Sequence, residues 1–172
     1  MKRGTIHRYP IVLFDWGDTV MYDDPAQTVP MVEWPKVSAV EGMADLLACL
    51  VSSGRQIALA TSAGISNEGQ IRGALRRVEI ERFFSRIYCF KNTGLPKGGA
   101  FYRHILGDLG VPASDVLMVG DHFEKDVLAA NAEGIFAVWF NRRSDETRED
   151  GSHVTVRSPG ELQAFFESLD RE

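Results

Sequence analysis

Five short, mostly apolar runs recur along this chain: PIVLFD, QIALAT, RIYCF, DVLMVG and IFAVWF. They lack the strict polar–apolar alternation of a sheet with one wet face. Runs of this kind suit strands buried on both sides, as in parallel sheets covered by helices. Segments with helical spacing separate them. Met43, Leu46, Leu47, Leu50 and Val51 share one helical face, and Gly54 stops that helix. NEGQIRGALRRV predicts a second helix, with Asn67 and Gln70 spaced for a capping box. Phe101, Ile105, Leu106 and Leu109 define a third, which ends at Gly110 before Pro112. EKDVLAANAEG closes a fourth at Gly134, and Ser158, Pro159 and Glu161 start a last one over Leu162, Phe165, Phe166 and Leu169.

Strands alternating with helices imply an α/β fold with a doubly wound, mostly parallel, five-stranded central sheet. With 172 residues and 44% hydrophobic content, the chain supports one sizeable core, so residues 1–172 are expected to form a single domain. The net charge of −5 and the lack of a strongly basic stretch argue against nucleic-acid binding. The N-terminal MKRGTIHRYP is basic but carries no apolar leader, and no run is long enough to span a bilayer. A cytoplasmic location without a membrane partner is therefore expected. Cys49 and Cys89 lie in apolar patterns and are expected to be buried, reduced thiols. NRRSDETREDGSH reads as a solvated loop.

In doubly wound sheets, ligands bind beyond the carboxyl ends of the strands. Chemistry-bearing residues fall there in this sequence. Asp15 ends the first strand, Thr61 and Ser62 end the second, Lys97 follows the third, and Asp121 ends the fourth. Any one of them alone reads as a turn or cap residue. Together they supply an acid, a hydroxyl, a cation and a further acid. A carboxylate can attack a phosphoryl group and form an aspartyl phosphate. Two anions must then approach each other, so the site needs compensating charge. A Mg²⁺ held by carboxylates supplies it, with a lysine and a hydroxyl on the remaining phosphate oxygens. Asp15, Asp121 and Asp126 are the candidate ligands, Lys97 the cation and Thr61 the hydroxyl.

The segments FDWGDTV, LATS, GLPKG and VGDHFEKDV resemble the four motifs of the haloacid dehalogenase-like (HAD) superfamily, and the likeness runs from Pro10 to Leu169. The resemblance implies a Rossmann-like three-layer sandwich and phosphate-ester hydrolysis with Asp15 as nucleophile. It also implies phosphate binding by Thr61, Ser62 and Lys97, with Lys91 as a competing lysine. Mg²⁺ would be held by Asp15, the backbone carbonyl of Gly17, Asp121 and Asp126. The family's phosphatases carry a second Asp two residues after the nucleophile as general acid/base, and here that residue is Gly17. Asp18 is one position out of register and is expected to be a bystander. A weak or specialised phosphatase activity follows, since a missing acid/base typically costs 10² to 10⁴-fold.

The sequence leaves no room for a cap domain between Val20 and the first long helix, or between Ser62 and Lys97. A capless member has an open site, which suits a phosphorylated macromolecule or closure by a second copy in a homo-oligomer. The Met21 to Ser38 segment, with Met31 and Trp34, is a candidate flap, interface or core element. His122 reads as an exposed loop residue. The alternative is a phosphate-binding or regulatory protein with little turnover. Dehalogenase or phosphonatase chemistry, which relies on a cap, ranks lower.

Overall fold

The computed structural model describes residues 7–172, and the leaderless reading of Met1 to Ile6 falls outside them. Its strands are β1 (Ile11–Phe14), β2 (Gln56–Ala60), β3 (Phe84–Tyr88), β4 (Val116–Gly120), β5 (Phe136–Phe140) and β6 (His153–Val156). They form one sheet in the order β3-β2-β1-β4-β5-β6, with every neighbouring pair parallel. The helices are α1 (Met43–Ser52), α2 (Glu68–Arg77), α3 (Phe90–Thr93), α4 (Gly99–Leu109), α5 (Ala129–Ala132) and α6 (Pro159–Leu169).

Among the described residues the sheet has six strands, not the five expected. β6 emerges at the end of the charged segment, where His153 pairs beside Ala137 and Val156 beside Phe140. As an edge strand it has one neighbour, and Val154 and Thr155 stay half-buried. The continuous apolar run that marks the inner strands is therefore missing.

Alternate residues of each inner strand feed opposite faces. Val12, Phe14, Leu59, Val119 and Phe140 pack with Leu46, Leu47, Ile71, Leu75, Leu162 and Phe166 of α1, α2 and α6. Leu13, Ala58, Ala60, Met118 and Ala137 pack with Phe101, Tyr102 and Ile105 of α4 and Ala130 of α5. Both faces are dry, which is why the strands read as unbroken apolar runs.

The capping box of α2 forms as expected: Gln70 N donates to Asn67 Oδ1, and Asn67 N donates to Gln70 Oε1, both at 2.9 Å. Ser158 Oγ accepts from Glu161 N at 3.1 Å at the start of α6. Cys89 is buried, but Cys49 is exposed on α1, contrary to expectation. Its neighbours Met43, Leu46, Leu47 and Leu50 take the core face of the helix and turn Cys49 outward. The EKDVLAANAEG helix also differs, because it opens with a π-helical turn at Phe123–Leu128 before α5.

The chain builds outward from β1 to β3, then returns to the other side of β1 and builds outward again from β4 to β6. The carboxyl ends of β1 and β4 thus flank the point where the winding reverses, the crevice in which such sheets bind ligands. Among the described residues no helix is long and apolar enough to cross a membrane.

Candidate active site

Asp15 follows β1, where its N–H donates to Val119 O at 2.9 Å and extends the ladder with β4 past the strand end. Thr61 does the same beyond β2, with its N–H on Tyr88 O and its Oγ1 accepting from Ala63 N at 3.1 Å. Lys97, just ahead of α4, reaches inward and is buried. Its Nζ donates to Asp15 Oδ1 at 2.8 Å and to Asp126 Oδ1 at 2.7 Å. Asp126 comes from the π-helical turn, and its Oδ2 accepts from His122 N at 2.9 Å. Asp121 follows β4, with its carbonyl held by Trp139 Nε1 at 2.9 Å. Thr19 Oγ1 makes long contacts to Asp15 Oδ2 (3.5 Å) and Asp121 Oδ1 (3.4 Å).

Asp15, Asp121 and Asp126 each present an oxygen, and these atoms lie within 4.8 Å of one another. Lys97 is the one buried cation among them, so negative charge is in excess. Burial raises Asp121 above the usual carboxylate range, aided by its hydrogen bond with Asp15 and by the Asp15 and Asp126 charges, while Arg143 opposes. Burial and Asp15 raise Asp126 against the pull of Lys97 and the His122 N–H. Burial alone would lower Lys97, but Asp15 and Asp126 outweigh it and hold the ammonium charged. An all-oxygen donor set with surplus negative charge fits a hard divalent cation such as Mg²⁺.

These groups open into a cavity of about 430 Å³, whose lining includes Gly17, Thr61, Ser62, Lys97, Val29 and Pro30. Met31 and Trp34 form part of its wall and belong to the core as well. Trp34 is buried and its Nε1 donates to Val29 O at 2.9 Å. Of the competing lysines, Lys97 lines the cavity, whereas Lys91 is exposed on α3 and does not. His122 is exposed at the rim, where its Nδ1 accepts from Lys125 N at 3.2 Å.

Asp18 adopts the left-handed conformation at φ 59°. Its Oδ2 accepts from Arg143 at 2.5 Å and its Oδ1 from Asp23 N at 3.1 Å, so its carboxylate is spent on structure. Asp23 and Arg143 are among the cavity residues that sequence reasoning missed. Partial burial raises Asp23 above its ordinary value, and Asp18, Asp15 and Asp24 add to this against the Asp24 N–H. Arg143 lies in the charged loop and is mostly exposed, yet it reaches Asp18 and, at 3.9 Å, Asp121. Neither position carries a local signal: Asp23 is brought in by the irregular turn after Trp16, and Arg143 by the loop that follows β5.

A doubly wound α/β sheet thus gathers an acid, a hydroxyl, a buried lysine and two further acids at its strand ends, a carboxylate-rich cluster built around one ammonium. The chain belongs to the haloacid dehalogenase-like hydrolases: residues 25–140, about two thirds of it, match that family. The match begins after the Asp15 turn, so that turn is placed by its position at the end of β1. Haloacid dehalogenase-like hydrolase domain-containing protein 3 of Danio rerio is 32% identical over 108 residues. The aligned part is 62% of this chain and 41% of the relative, so this chain spans well under half of that protein. An uncharacterised Listeria monocytogenes protein of known structure superposes with a TM-score of 0.81 at 20% identity, over 94% of this chain and 99% of its own. A HAD phosphatase from Thermococcus onnurineus superposes at 0.64 with 22% identity, over 75% of this chain and 58% of its own. Both share the fold. No cap intervenes among the described residues: Val20 to α1 holds only the short 3-10 turn Met31–Glu33, and Ser62 to Lys97 holds α2, a second 3-10 turn, β3 and α3.

Proposed function

We propose that this hydrolase is a Mg²⁺-dependent phosphatase that works through an aspartyl phosphate on Asp15. The observation that carries this reading is the Lys97 clamp. One buried ammonium ties Asp15 to Asp126 at 2.8 and 2.7 Å, and an Asp121 oxygen converges on the same point. Asp15, Asp121, Asp126 and the Gly17 carbonyl would hold the metal, which offsets the repulsion between a carboxylate nucleophile and a phosphoryl group. Asp15 attacks phosphorus while Lys97, Thr61 and Ser62 bind the non-bridging oxygens. Water then cleaves the acyl phosphate and restores Asp15. Among the described residues no cap covers the site, which leaves room for a large phosphoester.

The test is hydrolysis of acetyl phosphate and 4-nitrophenyl phosphate, with and without Mg²⁺, by the wild type and by Asp15→Asn. Metal-dependent turnover that disappears in Asp15→Asn is expected. Turnover that survives the substitution would rule out Asp15 as nucleophile. No turnover by the wild type on either compound would leave the phosphate-binding, regulatory reading in its place.

A further inference from the structure

Gly17 has no side chain, but the space beside it is filled. A Cβ built on Gly17 would lie 3.2 Å from Asp23 Cβ, 3.3 Å from the Asp23 carboxyl carbon and 3.4 Å from its Oδ2. Those three atoms are the nearest neighbours of that position, and all belong to one carboxylate residue. Asp23 faces the same cavity as Asp15, Thr61 and Lys97.

A tight reversal of the chain brings Asp23 there. The N–H groups of Thr19, Val20 and Met21 converge on Trp16 O at 3.3, 2.9 and 3.1 Å, and Asp18 N donates to Met21 O at 2.6 Å. Met21 forms bridges to both Gly17 and Ala39, so residue 22 leaves the loop beside the nucleophile turn. Asp23 N is then tied to Asp18 Oδ1, and Ala26 N and Gln27 Nε2 donate to the Asp24 carboxylate to close the following turn. Asp23 therefore sits on an ordered corner. Its Oδ1 accepts from Asp24 N at 2.9 Å. Among the described residues its Oδ2 has no hydrogen-bond partner and its carboxylate has no ion pair, whereas Asp15 and Asp126 share Lys97 and Asp18 holds Arg143.

We propose that Asp23 supplies the acid/base carboxylate that Gly17 lacks, a catalytic role that rests on the phosphatase reading above. Asp15 attacks phosphorus as the bond to the leaving oxygen breaks, and the Asp23 carboxyl gives its proton to that oxygen to release an alcohol. The Asp23 carboxylate then takes a proton from the water that attacks the aspartyl phosphate. This step frees inorganic phosphate and returns both residues to their starting forms. The acid has moved from the nucleophile's own turn to the next corner of the chain.

Such an acid matters most for poor leaving groups. Asp23→Asn and Asp23→Ala are expected to lower turnover of an alkyl phosphate such as glycerol phosphate by about 100-fold or more. Attack on 4-nitrophenyl or acetyl phosphate should fall much less. With the base removed, phosphorylated protein should accumulate from acetyl phosphate, read by intact-mass spectrometry. Gly17→Asp in the Asp23→Ala background should restore alkyl turnover, because it places a carboxylate in the vacated space. Gly17→Asp alone crowds Asp23 and should bring no gain. Three results would overturn the assignment: an unchanged alkyl-to-aryl ratio of kcat/KM in Asp23→Asn, no accumulation of phosphoprotein, or a gain from Gly17→Asp alone. These outcomes leave the phosphatase reading standing if the wild type remains Asp15-dependent. A wild type without Asp15-dependent turnover defeats that reading first.

Discussion

Gly120 shows how strongly one residue constrains the site. A Cβ there would fall 2.2 Å from Asp126 Oδ2 and 2.5 Å from Asp126 Cβ, closer than any real contact. Only glycine at the end of β4 lets the Asp126 carboxylate lie over the strand and meet both Lys97 and the His122 N–H. Gly120→Ala should displace Asp126 by an ångström or more. We expect about a 100-fold loss of Mg²⁺-dependent turnover and loss of the Mg²⁺-induced rise in melting temperature, with circular dichroism reporting a folded protein. Wild-type kinetics in this variant would show that Asp126 does not contribute where it stands. At this scale the strand-end acids were legible, because an acid that ends an apolar run can point only to the sheet's carboxyl edge. Asp23 was not legible: nothing local to DDP states that it stands beside Gly17.

The segment between Val20 and α1 behaves as a strap. Met31 and Trp34 anchor it in the core while Val29 and Pro30 face the cavity. Arg77, in the last turn of α2, donates to Trp34 O at 2.6 Å, Val32 O at 3.1 Å and Pro35 O at 3.4 Å. Gly73, one turn earlier, leaves room for Val32, whose Cγ2 would lie 2.8 Å from any Cβ there. The structure thus answers the question about Trp34, which is a core residue that also walls the site. Arg77→Ala should lower stability by about 1 kcal/mol, since its bonds are partly solvated. It should raise KM for a phosphate ester more than it lowers kcat, because the chemical groups are untouched. Denaturant melts and steady-state kinetics measure the two effects. An unchanged KM would show that the strap needs no such tether.

For the whole molecule, the converging acids link ligand binding to pH. Asp121 and Asp126 are raised above their unfolded values chiefly by burial. Their protonated forms therefore favour the folded, metal-free protein at low pH. That contribution is lost as pH rises from about 4 through the raised values. In the proposed metal site Mg²⁺ would take the ionised carboxylates, so its stabilisation would run the other way. The Mg²⁺-induced rise in melting temperature should grow with pH across this window, which thermal melts at one Mg²⁺ concentration would measure. A pH-independent increment would exclude these acids as ligands.

By itself the sequence determined the α/β class, the first five strands, most helix boundaries and the acid–hydroxyl–lysine–acid order. Each of these depends on local periodicity, capping chemistry, or the chain direction of a buried strand. Tertiary structure decided the rest. β6 is a strand because β5 offers it an open edge, and Cys49 faces water because its neighbours claim the core. Lys97 rather than Lys91 reaches the acids because the loop before α4 turns inward. Asp23 fills the space beside Gly17 because the chain doubles back after Trp16. The β6 pairing and the Lys97 clamp come from contacts between residues distant along the chain, and the Asp23 corner from an irregular turn, so none of these three leaves a periodicity to read.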